Sequence, residues 1–257
     1  MKRKYLAVGI ILLFVGTSII PAIAQDTKKP SPTSRGNWLY VGGSGQGNYT
    51  RIQDAVDNAS NGDTVFVFSG IYHERIHISK SINLTGEDPT STIIDGTDVT
   101  DAMYETVYIH SENIEMTELS GFTIKNTKNI DARPRCIIID GDNIEVHGNI
   151  ITGGMIGIQS GFGTEEHIFR NTITNNVVGC FLYYAELSEV SENNFIGNFQ
   201  QAVYLNSRST LWDRNYWDNV FLKVKIIFGW YDHPIFIPSF NLDLNPAQEP
   251  YDIPGMS

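Results

Sequence analysis

The sequence predicts an all-β protein: a right-handed single-stranded parallel β-helix with about 22 residues per coil, a short N-terminal capping helix and a non-repeating C-terminal cap. Three observations predict it. Segments recur at a fixed step of 22 residues, apolar residues inside each segment alternate at period 2, and Gly, Asn and Asp punctuate the segments.

The recurrence is clearest in HGNIITGG from His147, FRNTITNN from Phe169, SENNFIGN from Ser191 and DRNYWDN from Asp213. It aligns Asn149, Asn171, Asn193 and Asn215, and two residues on it aligns Ile151, Ile173, Phe195 and Trp217. Upstream, the same step aligns Cys136, Ile158, Cys180 and Ala202; Ile138, Ser160, Leu182 and Tyr204; and Val146, Ile168, Val190 and Trp212. The alternation in CIIID, IEV, NII and TIT is that of strands, so each unit holds about three short strands and three bends. One coil cannot bury its own apolar side; stacked coils can, and their strands then pair in parallel. The step is too long for the left-handed hexapeptide type, at about 18 residues per turn, and the leucine-rich pattern is missing.

Earlier coils are less regular. GFTIKN from Gly121 puts Phe122 in the asparagine slot and Ile124 in the apolar slot. Phe122 to Asn149 is 27 residues, so five extra residues are expected in a loop over 127–135. Further loops are expected at Glu87–Ser91 and Thr97–Ala102. The β-helix domain is placed at 38–219. Thr50-Arg51-Ile52-Gln53 reads as a capping box, and Ile52, Ala55, Val56 and Ala59 form one helical face. A helix over 51–59 thus plugs the first coil, and Asn61-Gly62-Asp63 stops it. The segment 220–257, rich in aromatic residues and proline, is expected to fold over the last coil.

Before the domain, Lys2, Arg3 and Lys4 precede an apolar run from Tyr5 to Ile20 and an Ala22-Ile23-Ala24 motif. This is the layout of a signal peptide, 1–24, with export as the consequence; retained, it is a membrane anchor. Residues 25–37 read as a flexible linker. The formal net charge is -11. Removing 1–24 takes away three basic residues and no acidic one, leaving -14. With no Lys/Arg cluster, such a surface excludes nucleic acid as a partner. Solubility and adaptation to salt both account for the acidity. Asn48, Asn58 and Asn83 stand in N-x-S/T sites, candidate glycosylation acceptors in an exported chain.

The segment IQDAVDNASNGDTVFVFSGIYHERIHISKSINLTGED, with TIIDG beyond it, resembles the opening coils of pectin-lyase-like β-helix proteins. The repeats resemble the NosD-type periplasmic copper-binding β-helix domain. The NYW ending and the tail NLDLNPAQEPYDI look like the close of archaeal surface proteins of this type. The resemblance covers roughly 38–257. It implies the fold. It leaves the function open, because such scaffolds carry lyases, hydrolases, epimerases, adhesins and accessory proteins. The family label implies copper delivery to nitrous oxide reductase, or sugar binding.

The asparagine column Asn149, Asn171, Asn193 and Asn215 is expected to be a structural ladder of stacked turn amides. Cys136 and Cys180 fall in one column two coils apart, about 9–10 Å between Cα atoms from the strand spacing, too far for a disulfide; they are expected to be buried free thiols. Copper needs convergent His, Met or Cys. His73, His77, His110, His147, His167 and His233 share no register, His73 and His77 would lie about 13 Å apart on a strand, and Met103, Met116 and Met155 form no motif. A lyase of this fold would want Ca²⁺ carboxylates and a base. Asp95, Asp98 and Asp101 cluster in one loop region, and Asp131, Arg133 and Arg135 in another, with Asp140 and Asp142 beyond; stacked loops would make these one candidate ligand groove. Ordinary turn aspartates are the simpler account. Ca²⁺ and copper are thus both conceivable, with no site identified. The Gly-His-Gly stretch of polygalacturonase-type hydrolases is missing, and Gly42–Gly47 lacks the lysine of a phosphate loop. Tyr183, Tyr184, Tyr204, Trp230 and Tyr231 are candidate sugar contacts, of which Tyr204 should point inward and one of Tyr183 and Tyr184 outward.

The expectation is an exported, cell-surface or secreted β-helix protein, non-catalytic, binding polysaccharide or cell-envelope components or serving as structure. The alternatives are a divergent polysaccharide lyase or hydrolase and a copper-handling accessory protein.

Overall fold

Alternating side chains and regularly spaced bends wind the chain into a parallel β-helix with three legs. The computed structural model describes residues 36–98, 104–111, 115–128, 130–219, 224–232 and 237–253. The signal segment 1–24 and all of the linker but Gly36 and Asn37 lie outside them, as do Asp101, Met103 and His233.

The long leg stacks Ile76–Ile78, Glu105–Ser111, Arg135–Gly141, Ile156–Gly161, Val178–Tyr183 and Gln200–Leu205. The middle leg runs from Trp38–Val41 through Thr64–Val67, Asn83–Gly86, Thr117–Ser120, Ile144–His147, His167–Phe169 and Glu189–Ser191 to Leu211–Asp213. The short leg stacks Gly70–Tyr72, Thr92–Asp95, Thr123–Lys125, Ile150–Thr152, Thr172–Thr174, Asn194–Ile196 and Tyr216–Trp217. The long leg sends two columns into the core, from Ile76 to Ala202 and from Ile78 to Tyr204, and the other legs one apolar column each. Val65, Leu84, Leu119, Val146, Ile168, Val190 and Trp212 stack on the middle leg, and Ile94, Ile124, Ile151, Ile173, Phe195 and Trp217 on the short leg. All are buried, and each contributes about 1.5–3 kcal/mol by leaving water.

Two columns depart from the sequence expectation. Ile158 pairs with Ile137, not Cys136, and Ser160 pairs with Ile139, not Ile138. The cause is two changes of length that partly cancel. Ile124 to Ile137 is 13 residues where Ile151 to Ile158 and Ile173 to Cys180 are seven. Ile137 to Val146 is nine where Ile158 to Ile168 is ten. The loop over 126–134, which holds the short 3-10 turn Ile130–Ala132, therefore carries six extra residues, and the next bend is one shorter. Cys136 thus stands one position out of the Cys180 column. Its Sγ faces the bend at Thr152 O (3.2 Å), while Cys180 pairs with Ile158 and Ala202 in the core. Both thiols are free and buried, and burial raises both pKa values, that of Cys136 to about 12.

The helix Ile52–Asn58 covers the first coil with Ile52, Ala55 and Val56. Its capping differs from the box read in the sequence. Arg51 is the N-cap and makes no side-chain cap bond. The buried Glu74 carboxylate, one coil on, accepts from Ile52 N (2.9 Å) and Gln53 N (3.2 Å). Gln53 instead donates to Asp57 and to His77 O. Lys80 Nζ gathers the carbonyls of Val56, Asp57 and Ala59 at the other end, where the helix dipole favours a cation.

Asparagines join the coils at the middle-to-short bend. Asn171 Oδ1 accepts from Asn149 N (3.1 Å) and Asn149 Nδ2 (3.2 Å); Asn193 and Asn215 repeat the pattern below it. Each amide also feeds a carbonyl of the preceding coil, as Asn171 Nδ2 does Val146 O at 2.8 Å. The residues just before the ladder, Gly148, Arg170, Glu192 and Arg214, all have φ between 51° and 64°. Such left-handed backbone is unfavourable for a side chain, and the ladder bonds hold it. A second ladder, of Asn176 and Asn198, joins the short-to-long bend. The 22-residue step between those two residues was visible in TITNN and NNFIGN.

The C-terminal residues form an antiparallel ribbon, Lys225–Tyr231 with Ile237–Asp243. It docks on the long leg through Tyr204 and Leu205 and on the middle leg at Trp212. Asp243, fully buried, ends the main ladder. Its Oδ2 accepts from Asn215 N (2.9 Å), Asn215 Nδ2 (3.3 Å) and Trp217 Nε1 (3.0 Å).

Candidate functional site

Strand alternation on the long leg sends every second residue outward. Two outward rows result. One runs His77, Tyr108, Ile138, Gln159, Phe181 and Val203; the next runs His110, Asp140, Gly161, Tyr183 and Leu205. At one end of this face, the His77 ring stacks on Tyr108 at 5.1 Å and Tyr108 on His110 at 6.2 Å. Tyr108 Oη donates to Asp140 Oδ2 at 3.0 Å, and His110 Nδ1 lies 3.7 Å from the same oxygen. Burial, with the Asp140 hydrogen bond behind it, pushes the Tyr108 phenol up to about 12. It therefore stays a proton donor at neutral pH.

Gly161 follows Asp140 in its row; it is buried, and the Tyr183 ring lies against it, its Cδ1 3.7 Å from where a Cβ would stand. Phe162 stands beside it, 65% exposed, with its ring edge-on to Tyr183 (5.2 Å, 88°) and parallel to Tyr184 (5.5 Å, 8°). Phe162, Tyr184 and Asn206 share left-handed backbone (φ 54–58°) one coil apart, which turns their side chains outward past the strand ends. Hence Tyr183 and Tyr184 both reach the surface, because the alternation stops at Tyr183. Tyr204 is buried, Tyr231 packs on it at 6.4 Å, and Trp230 faces out. The sequence reading missed Tyr108, Gln159, Phe162 and Phe181. The 22-residue steps Gln159–Phe181 and Phe162–Tyr184 were the available signal.

The acidic and basic residues read as one groove belong to different features. Asp95 is buried on the short leg, held by Lys125 Nζ (2.8 Å) and by Thr97 N (3.0 Å). Burial pushes its carboxyl up, but those partners outweigh burial and hold it below the usual range. Asp98 is exposed in the following turn. Asp131 and Arg133 are exposed on the 126–134 loop, and Arg135 opens a long-leg strand between Glu105 and Ile156. Asp142 accepts from Thr164 N and Oγ1, both at 2.8 Å, in the next bend. Asp140 alone of the set stands in the outward row.

Two clefts lie on the bends. One of about 580 Å³ is bounded by Lys128, Pro134, Met155 and Phe199. The other, about 540 Å³, is bounded by His147, Arg170, Glu192 and Tyr251. In the second, Glu192 pairs with both Arg170 (2.7 Å) and Arg214 (3.1 Å), an ion ladder along the coils.

Inside the core, Glu166 is fully buried. It is bonded to Ser160 Oγ (3.0 Å) and Ser188 Oγ, and burial, only partly offset by those hydroxyls, raises its pKa. A raised acid stabilises the fold while it is neutral, and that contribution is lost as pH climbs through the raised value. Glu166→Gln removes this term. In melting curves across acid to alkaline pH, the wild-type midpoint should fall relative to the variant on the alkaline side by about 2–4 °C, the response of a domain this size to about 1 kcal/mol. A constant difference at all pH values contradicts a raised Glu166 pKa.

Fold and outward face together define a right-handed parallel β-helix protein. A family model described as "Periplasmic copper-binding protein (NosD)" matches residues 56–227. The chain belongs to the NosD family. It is 30% identical over 140 residues to "Uncharacterized protein YwoF" of Bacillus subtilis (strain 168), covering 49% of this chain and 29% of that protein's length. Among solved structures, YbhC of Escherichia coli matches with a TM-score of 0.50 at 12% identity, over 73% of this chain and 74% of that one. Pectin methylesterase PemA of Erwinia chrysanthemi matches with 0.48 at 14% identity, over 81% and 86%. These are likenesses of fold.

The described side chains do not fit the copper of the family description. Among the described residues no three His, Cys, Asp or Glu side chains converge as a metal set. Both thiols are sealed in the core, held protonated by burial. His147 is taken up by Glu118 (3.1 Å) and by stacking on Phe169 (4.7 Å).

Proposed function

We propose that this protein is exported and acts outside the cytoplasm as a non-catalytic β-helix that holds a polysaccharide on the outward face of its long leg. The observation that carries this reading is the group of rings at the edge of that face, the exposed Phe162 edge-on to Tyr183 and parallel to Tyr184, with Asp140 one coil before them in the outward row. Exposed rings beside hydrogen-bonding groups suit a sugar, whose faces are apolar and whose edges are polar. The leader layout of residues 1–24 and the periplasmic description of the family support export. In the absence of the leader, the domain should bind a subset of glycans on an array. Phe162→Ala and Tyr183→Ala should each weaken that binding about 10-fold without moving the melting temperature. Binding indifferent to both changes would remove this face as the site. Release of shortened or de-esterified product from the bound polysaccharide would remove the non-catalytic reading.

A further inference from the structure

The C-terminal ribbon has two unlike faces. Ile227, Gly229 and Asp243 face the stack, with Gly229 so close to Tyr204 that a Cβ there would meet the ring at 2.5 Å. The other face carries Ile226, Phe228 and Trp230 on one strand, opposite Leu242, Phe240 and Pro238 on its partner. These residues are exposed, Phe228 and Phe240 by 59% and 64%. No charged side chain stands among them. Lys225, at the edge, is turned under, its Nζ 5.2 Å from the Trp217 ring. With the exposed Val224, Ile237 and Leu244, the patch presents roughly 700 Å², judged from the fractional exposures and ordinary side-chain areas.

We propose that this face is a self-association surface, on which a second copy of the chain seats tail to tail. The area exceeds what a monomer usually leaves open and approaches the roughly 800 Å² per partner of a standard interface. Charge selects the occupant. At a net charge of -11 two copies repel over most of their surfaces, and this uncharged end is where they approach freely. An anionic lipid surface would be repelled by the same net charge. The shape selects the symmetry. Both strands of the ribbon offer aliphatic and aromatic side chains, so a copy turned by a two-fold axis presents matching rows, the requirement of an isologous dimer. Trp230 pairs with Leu205, so the patch continues the outward row of the long leg past Tyr183; the proposal rests on the ribbon's own exposed residues and not on the glycan reading.

Analytical ultracentrifugation of the leaderless chain tests it. The wild type should sediment as a dimer at micromolar concentration. Phe228→Ser with Phe240→Ser should weaken the dimer about 100-fold while circular dichroism and melting stay unchanged. If that pair of changes disturbs folding, Ile226→Asn with Leu242→Asn tests the same face. A wild type that stays monomeric, a dimer that survives both sets of changes, or a monomer that floats with neutral phosphatidylcholine vesicles would each overturn the proposal.

Discussion

Asn171→Ala is expected to cost about 3–5 kcal/mol in urea unfolding, far more than one surface amide. The side chain makes bonds in three directions. Its Oδ1 accepts from Asn149 N and Nδ2, and its Nδ2 reaches Val146 O, Phe169 O and Asn193 Oδ1. Truncation strands a buried backbone N–H and a buried carbonyl, each worth about 1–3 kcal/mol when unpaired. Asn171→Asp should be nearly as damaging, since a carboxylate keeps the acceptor and loses every donated bond. Asn176→Ala, in the shorter ladder, should cost about as much, because it strands the buried Gly154 N–H and the Ile151 carbonyl in the same way. Equal, small losses at 171 and 176 would mean that water replaces the amides.

Asp243→Ala should be the second severe change, at about 3–4 kcal/mol, with faster proteolysis of the ribbon. It removes the acceptor of Asn215 N, Asn215 Nδ2 and Trp217 Nε1, and so both unties the last coil and frees the ribbon. Asp243→Asn should recover only part of this. One carboxylate oxygen takes the three donors and the other accepts Asn245 N at 3.1 Å. An amide can supply the first oxygen, but it then points a second donor at the Asn245 N–H. Full recovery in Asp243→Asn would show that the Asn245 contact carries no weight.

These two sites were unequally legible. The ladder was written in the 22-residue recurrence of Asn149, Asn171, Asn193 and Asn215, because a regular stack needs the same side chain at the same bend. Asp243 follows no recurrence; it lies in the ribbon, where periodicity has ended and only three-dimensional folding brings it beneath Asn215. Glu74 was hidden for the same reason. It caps the helix from a coil away, while the local Thr50 and Gln53 pattern imitated a cap that the backbone does not use. The Cys136 column was misread because the loop beyond Lys125 and the bend after Gly141 change length in opposite senses, and spacing between Phe122 and Asn149 records only their difference. Of the outward face, Tyr183 and Tyr184 were visible as residue types. Their grouping with Phe162 was not, since it depends on the left-handed backbone that turns Phe162 and Tyr184 out past the strand ends.

The ladder has one more consequence. Every rung joins to the next through the same atoms at the same 22-residue offset. A duplicated segment from Asn171 to Glu192 would therefore find a finished joint above and below it, and its removal would close the gap with no new contact to invent. The length of this molecule is set at its two ends, by the helix tied to Glu74 and by the carboxylate of Asp243, and the body between them is free to grow or shrink by whole turns.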